Sequence, residues 1–380
     1  MAISVAGGVK PAKIIDVEQR LLKRLIIGKE KHAVMADDIN SGLDSDANKL
    51  AVEREAIRAR LAKQNEAKAV FDAVSAQLIA GVNANIDHQL SSPAQVLATS
   101  KLDQKQVALL EYLYAEHVDL ARIRPLVESL PWLERDLINM LNSSSFRHRR
   151  PKSSDVQVTD IKLVLNYIGI ENLQALIPYF CLRNLMPRGQ TQMLWLSRKL
   201  WRYTVVAAIA AQTLAKLHNK PSAFLYSCSL MSQLGTVSVI KQCGKEFDDM
   251  WGNWLREASA SGDKALYDAV MATEFPANDV YQQVLAHSQA LNWQLLELLD
   301  FKQSRMAKTF KAIDTHLKYA DLDEDSALIE RANCFAKVYL LQEVNKITVA
   351  ERRVMFDYYQ LSEQELIRLS AQNFSKLPLF

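Results

Sequence analysis

From Ala47 to Ala80 the chain runs without a single Gly or Pro, in a composition dominated by Ala, Glu, Lys, Arg and Leu. These residues lose little freedom on entering a helix, so the segment predicts one long helix of about 50 Å, at 1.5 Å per residue. The rest of the chain extends the same constraint. Its 380 residues hold 11 Gly and 10 Pro, well below average usage of about 7% and 5%. A strand-rich fold needs many tight turns and the residues that make them. Nowhere does period-two alternation persist; Asp155-Val156-Gln157-Val158-Thr159 comes nearest and is too short for a strand. The expected fold class is all-α.

Within the long helix Leu50, Ile57, Phe71 and Leu78 share a heptad row, but Gln64 interrupts it and Lys68 interrupts the Leu61 row. A stripe so narrow and broken favours docking on the chain's own domain over a coiled-coil dimer arm. Phe71, Val74 and Leu78 gather toward the helix's end and form a candidate interaction surface. A shorter amphipathic patch lies upstream at Leu21, Leu22, Leu25 and Ile26. Further on, Lys105–His117, Leu120–Leu130 and Trp132–Leu141 read as short helices cut by Pro125 and Pro131. Residues 199–217 are apolar nearly all round, as in a central buried helix. Thr348-Val349-Ala350-Glu351 and Ser362-Glu363-Gln364-Glu365 fit the capping box and predict two terminal helices joined near Leu361. The acidic start of the second helix favours a packing element over a DNA-reading hairpin.

A net charge of +3 supplies no general attraction to nucleic acid or anionic membrane. The densest basic run, Arg147, His148, Arg149, Arg150 and Lys152 around Pro151, could bind phosphate or protein, and the plainer reading is a solvated turn. Cys181, Cys228, Cys243 and Cys334 lack C-x-x-C spacing and read as buried thiols of a cytosolic protein. Residues 221–240 carry no charge, yet seven are Ser, Thr or Gln and Pro221 and Gly235 interrupt the run. They read as core helices rather than a membrane span. No phosphate-cradling glycine loop, nucleophile elbow or paired-His zinc helix is present.

Four stretches carry a resemblance. Ala223 to Ile240, with Leu230-Met231-Ser232-Gln233-Leu234-Gly235 at its centre, resembles the signature helix of the HD metal-dependent phosphohydrolases. Leu141-Asn142-Ser143-Ser144-Ser145-Phe146 with Arg150-Pro151 resembles the Asn-Ser segment and Arg-Pro turn of the HDOD (HD-related output domain) family. Val158 to Gly169 resembles the helix that follows. Leu200 to Ala207 resembles the helix presenting the first metal-binding His. The likeness covers roughly residues 100–240 and thins toward about 345. It implies an HD-like multi-helix bundle at 96–345, with an N-terminal helical extension at 1–95 and a C-terminal helical hairpin at 346–380.

At the positions that bind metal in HD enzymes, the resemblance places Tyr203, Ser232, Gln233 and, in Arg331-Ala332-Asn333, Asn333. Such neutral donors are weak ligands compared with imidazole and carboxylate. Without metal there is no Lewis acid to lower the pKa of a bound water toward about 7. The expectation is that these groups satisfy each other and a water or two, or else line a small polar pocket for a neutral ligand. The resemblance implies no catalytic residues, no metal and no cofactor. It implies a regulatory signalling module of the bacterial cytoplasm that binds other proteins and could form a homodimer. The alternative is a diverged phosphohydrolase with a rebuilt metal site acting on a nucleotide or phosphoester.

Overall fold

The computed structural model describes residues 7–28, 51–144, 146, 157–316 and 318–377. Among them no strand occurs; one isolated bridge pairs Val9 with Lys318. In chain order the helices are α1 Ala12–Ile26, α2 Ala51–Leu90, α3 Pro93–Ser100, α4 Gln104–Tyr112, α5 Leu120–Glu128 and α6 Pro131–Asn142. There follow α7 Ile161–Ile168, α8 Ile170–Leu185, α9 Thr191–Leu217, α10 Ser222–Met231, α11 Leu234–Ser261 and α12 Lys264–Ala272. The last group is α13 Ala277–Leu298, α14 Arg305–Thr315, α15 Glu324–Gln342, α16 Val349–Tyr358 and α17 Glu363–Ser370. The fold is all-α and HD-like.

Local chemistry sets most helix starts. Asp103, Asp119, Asp160, Asp263, Ser304 and Asp323 each accept a first-turn amide, which satisfies donors that no helical carbonyl can reach. Both expected capping boxes form, Thr348 with Glu351 and Ser362 with Glu365, and Asp103 with Gln106 adds a third. Pro131 sits at the first position of α6, where its missing N–H is harmless. Pro125 differs from expectation: it lies inside α5 rather than ending it.

Helix α9 is the centre of the bundle, packed against α10 and α15. Ile209 and the run from Val206 to Ala211 are buried, whereas Trp201 and Val205 are half-buried at the rim, with Trp201 edge-on to Tyr179. The uncharged 221–240 run becomes α10 and the first turns of α11. By length and composition Glu55–Leu90 and Ser222–Ser261 could each cross a membrane, but the second is 89% buried inside the bundle. The apolar stretch of the first is 17% buried, and a single such helix is weak evidence for a span.

Helix α2 is longer than expected and divided in use. Its second half buries Leu78, Val82, Ile86 and Leu90 against α11 and α12. Its first half is mostly exposed. Leu78 is therefore core and leaves the expected interaction surface, whereas Phe71 and Val74 are half-buried where the helix departs from the bundle. Helix α1 buries Ile14, Val17, Leu21, Leu25 and Ile26 in the same core cluster, so the apolar core runs without a break from the N-terminal extension into the bundle.

The terminal pair α16–α17 is tied in by a buried carboxylate. Glu365 is 1% exposed and accepts from Arg331 at 2.9 Å, while its Oε1 lies 2.9 Å from Nε2 of His218. Burial works against its charge, but these partners and the Ser362 amide hold its pKa below the ordinary value. The acidic start that argued against DNA is a packing device here.

Candidate functional site

The break between α10 and α11 falls on Ser232 and Gln233, which are the C-cap of one helix and the N-cap of the next. Immediately beyond, Gly235 lets α11 approach α13 closely. A Cβ at that position would stand 2.0 Å from the Ser288 carbonyl oxygen, and the Gly235 amide donates to Asn292 Oδ1 at 2.9 Å. Tyr203 comes from α9 and Asn333 from α15. Tyr203, Ser232, Gln233 and Asn333, the four positions that the resemblance aligned with metal ligands, line one pocket of about 400 Å³.

The groups in this pocket pair incompletely. Ser232 donates to the Ser229 carbonyl at 2.8 Å, and Thr236 donates to Gln233 Oε1 at 3.1 Å. Asn333 Nδ2 donates to Glu330 at 3.0 Å, which leaves its Oδ1 buried with no partner among the described residues. Burial pushes the Tyr203 phenol up to about 12, so it stays protonated. The expectation that these polar groups would satisfy one another holds only in part.

Five charged residues that sequence reasoning passed over share the space: Lys10, Glu18, Asp314, Glu330 and Lys337. Glu18, on α1, accepts from Lys10 at 3.0 Å, Lys337 at 2.7 Å and the Tyr359 hydroxyl at 2.7 Å. Burial alone would raise its pKa; Lys337 and then Lys10 outweigh that and bring it to about 2. Burial likewise opposes the Lys337 charge, and Glu18 reverses the effect, holding its pKa above the ordinary value. Asp314 lacks such help. Burial first, then the neighbouring Glu330, push it up to about 8, and its Oδ2 has no partner among the described residues. Glu330 and Lys337 stand three before and four after Asn333, on the same helix face, and that spacing was a signal available in the sequence.

Tested against a divalent metal, this donor set does not fit. The ligand positions offer a protonated phenol, a hydroxyl and two amides, and Glu18 is already committed to two ammonium groups and a hydroxyl. Of the pocket's other carboxyl groups Asp314 is held protonated by burial and by Glu330, which leaves Glu330 as a single carboxylate donor. Hard and borderline dications need carboxylate or imidazole donors to offset their dehydration. Among the described residues no three His, Cys, Asp or Glu side chains group as a metal site.

The Asn-Ser segment has a structural use. Asn142 donates to the carbonyls of Ile138 at 2.9 Å and Val158 at 2.8 Å and accepts from the Val158 amide at 3.0 Å, fastening the end of α6 to the approach to α7. The basic run Arg147, His148, Arg149, Arg150 and Lys152 lies outside the described residues, as does Ser145. The four cysteines are buried and unpaired.

The fold is thus a helical bundle with a polar pocket at the break between α10 and α11. The family model "HDOD domain" matches residues 100–273, and over that span the chain is similar to the family. No curated protein matches the chain. A solved structure, "Putative metal-dependent phosphohydrolase" from Shewanella amazonensis SB2B, aligns at 13% identity and a TM-score of 0.38, over 75% of this chain and 99% of that one. Likeness at that level carries no argument about chemistry.

Proposed function

We propose that the protein is a non-catalytic regulatory module of bacterial signal transduction, working in the cytoplasm by binding other proteins. One observation carries the reading: the four positions that would hold the metal come together in one pocket and bear Tyr203, Ser232, Gln233 and Asn333. A phosphohydrolase of this class needs a metal-activated water, and neutral donors beside a built-in Glu18–Lys337 ion pair do not supply one. Recognition then falls to the outer surface. The exposed first half of α2, with the half-buried Phe71 and Val74 at its root, is the candidate docking element for a partner or a second copy, and Arg147, His148, Arg149, Arg150 and Lys152 are a candidate second contact. Nucleic acid and membrane are disfavoured by the near-neutral charge.

The test is hydrolysis of bis-p-nitrophenyl phosphate by the purified chain with Mg²⁺, Mn²⁺ or Fe²⁺. The expected rate equals the metal-only blank. A rate abolished both by chelator and by Asn333→Ala would overturn the reading in favour of a rebuilt phosphohydrolase. For the docking element, Phe71→Asp is expected to leave the melting temperature nearly unchanged and to weaken capture of co-purifying protein or self-association by light scattering.

A further inference from the structure

The pocket has a property that neither the family resemblance nor protein docking explains: two of its buried oxygen atoms have no partner among the described residues. Asp314 Oδ2 and Asn333 Oδ1 are buried with no donor among the described residues. The Asn333 amide is held in that orientation by its Nδ2 bond to Glu330. Leaving such atoms unmet costs about 1–3 kcal/mol each. Asp314 and Glu330 repel each other electrostatically, and the pocket's two ammonium groups, Lys10 and Lys337, both bond to Glu18, so that Lys337 reaches Glu330 only through a longer-range attraction. Around these polar groups Leu22, Phe310 and Ile313 give the pocket an apolar wall, with Leu285 at 39% exposure. Its volume of about 400 Å³ lies within the range typical of small-molecule sites.

We propose that this pocket binds a small organic ammonium ion, a primary amine bearing an alkyl or arylalkyl group. An ammonium presents three N–H donors and no acceptor, which matches Asp314, Asn333 and Glu330 as three acceptors. Its charge answers the two carboxyl groups, and its hydrocarbon part lies on the apolar wall. Without a cation, burial and Glu330 keep the Asp314 carboxyl largely protonated at neutral pH. An arriving ammonium favours the ionised form, so binding at pH 7 releases a proton. Lys10, Glu18, Glu330 and Lys337 are the other charged groups facing this space. The site does not depend on the partner-capture reading.

The experiment is isothermal titration of the full chain with n-butylammonium, 2-phenylethylammonium and 1,4-diaminobutane as chlorides. Controls are tetramethylammonium, which has charge but no donors, 1-butanol and butyrate. At least one primary amine is expected to bind at least tenfold more tightly than every control, with proton release seen as a dependence of heat on buffer. Asp314→Asn is expected to weaken binding at least tenfold while melting no lower than wild type. Leu285→Trp, which fills the pocket without touching an acceptor, is expected to abolish binding. Failure of all three amines to bind at up to about 10 mM, equal binding of tetramethylammonium or butanol, or unchanged affinity in both variants would each overturn the assignment. A phosphatase assay on the same preparations reports separately on the non-catalytic reading.

Discussion

Helix α11 contains three glycines, and the same substitution at each should give three different results. Gly235→Ala puts a Cβ 2.0 Å from the Ser288 carbonyl oxygen, 3.0 Å from its carbon and 3.1 Å from Leu291 Cβ. Ordinary contact begins near 3.4 Å, so α11 and α13 must separate by more than an ångström. Overpacking of a fixed backbone costs typically about 1–3 kcal/mol, and stretching the 2.9 Å bond from the Gly235 amide to Asn292 forfeits about 1 kcal/mol more. Together these make about 2–4 kcal/mol, and the helix propensity that Ala gains over Gly, about 0.8–1 kcal/mol, offsets part of it, leaving a loss of about 1–3 kcal/mol. With an unfolding entropy of about 2.1 cal/mol/K per residue, a chain of 380 residues should melt about 1–4 °C lower. At Gly244 the added Cβ would lie equally close, 2.1 Å, but to the terminal methyl of Met193. That flexible side chain can turn away, and about 0.8–1 kcal/mol of helix propensity compensates, so Gly244→Ala should be near neutral. Gly252 has nothing within 4 Å, and Gly252→Ala should raise stability by about 0.5–1 kcal/mol. The assay is thermal unfolding followed by circular dichroism on the three variants and wild type. Gly235→Ala melting within about 1 °C of wild type, or Gly244→Ala as damaging as Gly235→Ala, would refute the argument that a backbone contact decides the cost.

Two further predictions concern pH. The folded pKa of Glu18, about 2, lies below its ordinary value of 4.5, so its stabilisation is present above pH 4.5 and disappears as pH falls from there toward 2. Glu18→Gln should flatten that acid dependence and, at pH 7, leave two ammonium groups without their carboxylate, at a cost of about 3–5 kcal/mol in urea unfolding. Asp314 has the opposite sign: its folded pKa is raised from 3.8 to about 8. The folded state holds a proton that the unfolded state releases, so stability declines as pH rises from about 4 to 8. Asp314→Asn should remove that decline and melt higher than wild type at pH 8; an unchanged pH slope would show the carboxyl to be solvated.

What the sequence by itself determined is what depends on neighbours along the chain. Scarce turn residues and a Gly- and Pro-free run dictate helices, because backbone entropy and hydrogen bonding act locally. Thr348 with Glu351 and Ser362 with Glu365 are three residues apart, so their caps are legible without a fold. Tyr203, Ser232 and Gln233 were singled out by resemblance alone, and their meeting in one pocket is a finding of the structure. The tertiary structure decided the rest. Glu18 and Lys337 are 319 residues apart in sequence, and nothing local says that their charges meet in one pocket. Leu78 reads as part of a surface stripe, yet α11 and α12 cover it, because burial depends on what packs over a helix. Asp314 looks like any helical aspartate until α13 and α15 close around it. Its altered acidity arises from the solvent those helices exclude, a property of the packed bundle rather than of any segment.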